Sequence, residues 1–144
     1  MEDTRFTPQP AKGWFWIGAT AVLLFMAAGV IGYLDTIVTA PDRLPVERRM
    51  LMEAMPGWHR PVYAVAIWSG LMGAVGLVMR RRTSVPVLLI SLLAAIGTFL
   101  PFVVVPAVRE LATRGDFIAA VIVIGLCAAS LWFAHRSKQK GWLR

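Results

Sequence analysis

Arg80-Arg81-Arg82 stands between two long apolar runs, with only a few residues in which to turn. Three consecutive guanidinium groups cannot remain in hydrocarbon. The chain therefore has to leave the apolar phase here and re-enter it at once, as a tight helical hairpin does. A short basic connection of this kind also biases strongly to the cytoplasmic side of a membrane. The triplet thus divides the chain into spans and orients all of them together.

A helix needs about 20 apolar residues to cross a bilayer core. Four segments qualify: about 13–34, 61–79, 84–108 and 117–134, none with a charge in its interior. Of the 144 residues, 58% are hydrophobic and 16% charged, and the charges are bunched between the runs. Soluble domains are nearer half apolar and a quarter charged. The expected fold class is all-α, an integral membrane four-helix bundle, with residues 1–144 forming one membrane domain. The opening residues carry Glu2 and Asp3 and lead into a span-length run with no small-residue cleavage site. They are not expected to act as a secretory signal.

Charge on alternating sides sets the orientation. One side has nine basic residues: Arg5, Lys12, Arg80, Arg81, Arg82, Arg136, Lys138, Lys140 and Arg144, against the acids Glu2 and Asp3. The other has Arg43, Arg48, Arg49, Arg60, Arg109 and Arg114, balanced by Asp35, Asp42, Glu47, Glu53, Glu110 and Asp116. The positive-inside rule then puts both termini in the cytoplasm, with the connection between spans one and two outside. The net charge of +7 is explained by this topology, so nucleic-acid binding is not expected. Trp14, Trp16, Trp58, Trp132 and Trp142 fall at span ends, as an aromatic belt requires. Trp68 lies inside the second span, where bundle packing is the expected role and a ligand wall the alternative.

Helices in lipid associate through small residues that let backbones approach. The second span carries Ala66, Ser69, Gly70, Gly73 and Gly76 on one stripe, the first Gly18, Ala21, Ala28, Gly29 and Gly32. The third carries Ser91, Ala94, Ala95 and Thr98, the fourth the pair Gly125 and Ala129. These stripes are expected to form the bundle seams. Pro101 and Pro106 each remove a backbone donor deep in the third span, so a kink is expected near 97–102. The single cysteine, Cys127, reads as a small buried hydrophobe.

Between spans one and two, Pro45 starts and Pro56-Gly57 ends a helix at about 46–55, with Val46, Met50 and Met55 near one face. It is too short to span and is expected to lie at the outer interface. Asp35 lies one turn past Gly32 on the small-residue stripe and is therefore expected to point into the bundle. An acid there needs a partner, and His59, Arg60 and Arg109 are on the same side. The candidate outer-side site is Asp35, His59, Arg60, Arg109 and Glu110. His59 and His135 fall on opposite sides and cannot share a haem. His59 with Asp35 and Glu110 has no metal-ligand spacing, and no catalytic motif occurs. No catalytic residue, metal or cofactor is expected.

Pro56-Gly57-Trp58, the run Ala64-Val65-Ala66-Ile67-Trp68-Ser69-Gly70, Gly73, Gly76, the arginine triplet, Val85-Pro86 and Ser91-Leu92-Leu93 resemble a family of small bacterial four-span proteins. These are akin to the DoxX-like bundles and are often carried under a loose "sugar transporter" label. The resemblance covers most of residues 29–108 and implies a bacterial inner-membrane four-helix fold. It brings no catalytic residues. The expected function is a non-enzymatic structural or accessory subunit that contacts membrane lipids and self-associates or joins a larger membrane complex. The alternative is a small-solute or proton/cation carrier with an outer cavity near Asp35.

Overall fold

A computed structural model describes residues 11–143, all-α with no strand among them. The charges at Glu2, Asp3, Arg5 and Arg144 lie outside the described residues. Seven α-helices follow in order, with a 3-10 turn (Pro41–Arg43) between the first two: α1 (Gly13–Val38), α2 (Val46–Ala54), α3 (His59–Val78), α4 (Ser84–Phe99), α5 (Pro101–Val104), α6 (Pro106–Leu111) and α7 (Arg114–Gln139). Four units are long and apolar enough to cross a membrane: α1, α3, α4 continued through α5, and α7. The chain is a multi-pass membrane bundle. The start of α1, the α3–α4 turn and the end of α7 share one end, called here the arginine end. Helices α2 and α6 lie at the other, the loop end.

The most extensive contact is between α3 and α4, followed by α1 with α3 and α4 with α7. The α3–α4 seam is built from residues without bulk. Ala66, Gly70, Gly73 and Leu77 of α3 face Ser84, Leu88, Ser91 and Ala95 of α4, all buried. A Cβ on Gly73 would stand 2.7 Å from Leu88 Cγ, and one on Gly76 would stand 2.8 Å from Ser84 Oγ. Ser91 Oγ donates across the seam to the Ala66 carbonyl at 2.8 Å. A polar bond to a neighbouring backbone adds to the close packing that holds helices together in lipid. Ser69 instead donates to carbonyls of its own helix, at Val65 and Ala66.

Two helix faces differ from the sequence reading. On α1 the buried residues are Phe15, Ala19, Val22 and Met26. Ala21, Ala28 and Gly32 are exposed, and no atom of another element lies within 4 Å of a Cβ built at Gly32. On α7 the buried face is Ala120, Cys127, Ser130, Ala134 and Ser137, while Gly125 and Ala129 point outward. Every face of a membrane helix is apolar, so periodicity in hydropathy does not tell the core face from the lipid face. Trp68 is also exposed, at mid-span.

Span limits differ for a related reason. Helices α1 and α7 extend past their apolar runs, because polar residues continue a helix into the interface. The third span is shorter than 84–108. Leu100 keeps helical angles (φ −56°, ψ −39°), so Pro101 simply opens a new turn. At Val105 the backbone becomes extended (φ −96°, ψ 111°). A residue before proline is pushed toward that region, so Pro106 ends the span and starts α6. Helix α2 packs on α6 through Leu51, its one buried residue, which joins Phe102 and Val108. Val46 and Met50, read as part of the apolar face, are exposed. Helix α7 starts with a capping box between Thr113 and Asp116.

The arginine end is closed. Helix α3 ends in a Schellman motif, with Arg81 N donating to Gly76 O (2.8 Å) and Arg80 N to Leu77 O (3.0 Å). Arg80 takes the left-handed conformation, φ +58°, a position where glycine is usual. Helix α7 ends in the same motif, with Gly141 at φ +70° and Trp142 N donating to Ser137 O at 3.0 Å. This turn sends Trp142 and Leu143 back into the bundle, where they are 6% and 1% exposed. Trp142 is therefore a core residue and not part of a belt. Arg80 Nε donates to Trp142 O at 2.7 Å and Arg82 Nε to Leu143 O at 3.3 Å. The triplet thus clamps the C-terminal tail as well as ending the hairpin.

Candidate functional site

Helices α1 and α7 meet near the arginine end. Phe15 stacks on Phe133 with ring centroids 5.9 Å apart, and a Cβ on Gly18 would collide with the Phe133 ring. Farther along both line a cavity of about 140 Å³. Phe25, Met26 and Gly29 come from α1, and Tyr63, Ala66 and Ile67 from α3. Helix α4 supplies Ser91, Ala95, Thr98 and Phe99, and α7 supplies Val123 and Cys127. A Cβ on Gly29 would meet only Ile67 within 4 Å, at 3.3 Å. No α7 atom comes that close to it.

The lining is almost entirely hydrocarbon. Its two aliphatic hydroxyls are engaged with backbone: Ser91 with Ala66 O, and Thr98 Oγ1 with Ala94 O at 2.9 Å. Their hydrogens are used locally, so they do not make the cavity polar. A comparable apolar void, of roughly 150 Å³, stays dry and accepts a benzene-sized guest.

Aromatic rings cover the loop end of the cavity. Tyr63 meets Tyr33 edge to face at 5.3 Å and stacks on His59 at 6.1 Å. His59 is half-buried. Tyr63 Oη makes no hydrogen bond among the described residues.

Among the described residues, no hydrogen bond or ion pair joins the five residues of the candidate outer-side site to one another. His59 joins the cavity roof. Asp35 is exposed in the last turns of α1, where its Oδ1 accepts a bond from Thr39 Oγ1 at 3.3 Å. Gly32, one turn before it on the same stripe, is exposed as well. Arg60, Arg109 and Glu110 are exposed. No set of three His, Cys, Asp or Glu side chains among the described residues is placed to hold a metal ion. Arg49, on α2, buries its Nε without a hydrogen-bond partner.

Sequence reasoning missed Tyr33 and Tyr63, the chain's two tyrosines. Helical spacing carried the signal. Tyr63 falls one turn after His59, and Tyr33 follows Met26 and Gly29 at i+7 and i+4. Comparison with protein-family models, curated proteins and solved structures finds no match to this chain.

Proposed function

We propose that this chain is a small accessory protein of the bacterial inner membrane that self-associates or seats against a larger membrane complex, with both termini cytoplasmic. The observation that supports it is the outward placement of small residues. Ala21, Ala28 and Gly32 on α1, and Gly125 and Ala129 on α7, lie on exposed faces. Such residues let a second helix approach closely in lipid. Nine basic residues at the arginine-end segments and termini, against six balanced ones opposite, support the orientation. The reading groups the chain with the DoxX-like four-span proteins in architecture and assigns it no catalysis.

The test is extraction in mild detergent followed by size analysis and identification of co-purifying chains, for wild type, Gly32→Leu and Gly125→Leu. A defined oligomer or partner, lost in at least one variant, is expected. A monodisperse wild-type monomer with no partner in native membranes removes the proposal.

A further inference from the structure

We infer that the cavity receives the hydrocarbon chain of a membrane phospholipid, which enters sideways between α1 and α7. The access route decides the class of occupant. At the arginine end, Phe15, Phe133 and the buried Trp142 and Leu143 close the bundle. At the loop end, Tyr33, Tyr63 and His59 stack across the roof. The remaining side is the seam between α1 and α7, which touch far less than α3 with α4, α1 with α3 or α4 with α7. Ile31 and Val121, on the same two helices, are exposed on the spans. A molecule arriving by that route comes from the acyl region of the bilayer.

The lining then selects among membrane-dissolved molecules. A sugar or ion would leave hydroxyls or charge without partners against Phe25, Ile67, Ala95 and Val123, and burying an unpartnered polar group is strongly unfavourable. A hydrocarbon chain has no such demand, and filling about 140 Å³ restores the dispersion contacts that a void forfeits. The unused donor, Tyr63 Oη, is in the second turn of α3, close to the loop end. That is the depth of lipid ester groups, so a chain in the cavity would bring its ester carbonyl within reach of the phenol. The same arrangement explains why the tyrosine is at the roof and the cavity floor is apolar.

The test uses the full chain in nanodiscs of phosphatidylglycerol whose acyl chain ends in a diazirine, photolysed and mapped by mass spectrometry. Met26 and Cys127 line the cavity and are 7% and 5% exposed, whereas Val121 is 72% exposed on the lipid face. Adducts at Met26 or Cys127, in addition to Val121, are expected. Ala95→Phe fills the cavity, and Gly29→Leu narrows the seam from the half-exposed side of α1. Each should abolish the interior adducts and keep those at Val121. Two variants guard against one failing to fold. Wild-type adducts confined to exposed positions, or interior adducts that persist in both folded variants, would overturn the inference.

Discussion

Consider replacing Gly73 with alanine. The added Cβ would lie 2.7 Å from Leu88 Cγ, 2.8 Å from Cδ2 and 3.3 Å from the Leu88 backbone nitrogen. Leu88 is 1% exposed, so its side chain has no open space to move into. Relief requires α3 and α4 to separate along the most extensive seam of the bundle. Overpacking of this kind costs about 1–3 kcal/mol. Against it stands the better helix propensity of alanine, worth up to about 1 kcal/mol. Subtracting the full propensity gain leaves a loss centred at about 1 kcal/mol. Gly125→Ala is the matched control, because nothing lies within 4 Å of its Cβ. There only the propensity gain remains, so stability should hold or rise slightly. Reversible unfolding in mixed micelles, followed by helicity and tryptophan fluorescence under monomeric conditions, measures both. Equal stability of the two variants would refute the claim that glycine sets the α3–α4 distance.

Three further expectations follow from the ends of the helices. Trp142→Ala should destabilise the bundle by about 3 kcal/mol in the same assay, because it empties a core position. Arg80→Gly relieves a left-handed backbone worth about 1 kcal/mol but removes a charged donor to Trp142 O worth about 1.5–3 kcal/mol. A small net loss is expected, and a net gain would show that the tail clamp contributes nothing. Thr113→Ala should cost about 1 kcal/mol by removing the α7 cap. For orientation, a cysteine placed at Asp42 in a Cys127→Ser background should react with an impermeant reagent added outside cells, and one at Thr83 should not. The reverse pattern inverts the topology.

Much of the architecture was legible because hydrocarbon imposes length and charge rules. The arginine triplet, the four apolar runs and the Pro45 and Pro56-Gly57 signals located the hairpin, the spans and α2. The glycine stripe of α3 marked a seam because three small residues at helical spacing have few other uses inside a membrane. The face of α1 was not legible. Its faces are all apolar, and the small residues divide: Ala21, Ala28 and Gly32 are exposed, while Gly18 meets Phe133 and Gly29 lines the cavity. Asp35 follows the exposed set, at a helix end and not at the expected mouth of a cavity. The fate of Trp142 depended on the left-handed turn at Gly141, which reverses the chain into the core. The cavity itself depends on how four helices diverge. That is a tertiary property, and only the spacing of Tyr33, Gly29 and Met26 hinted at it.

The account rests on a bundle in which α1 and α7 touch at the arginine end and part toward the loop end. Paired cysteines test this directly in native membranes, with Cys127→Ser as background and a short bifunctional thiosulfonate as cross-linker. Gly18→Cys with Phe133→Cys should cross-link efficiently, since a Cβ on Gly18 already reaches the Phe133 ring. Gly29→Cys with Val123→Cys, which both line the cavity, should cross-link poorly. Comparable cross-linking of both pairs would show the two helices packed along their full length, and would leave neither a gap nor a cavity for a lipid chain to enter.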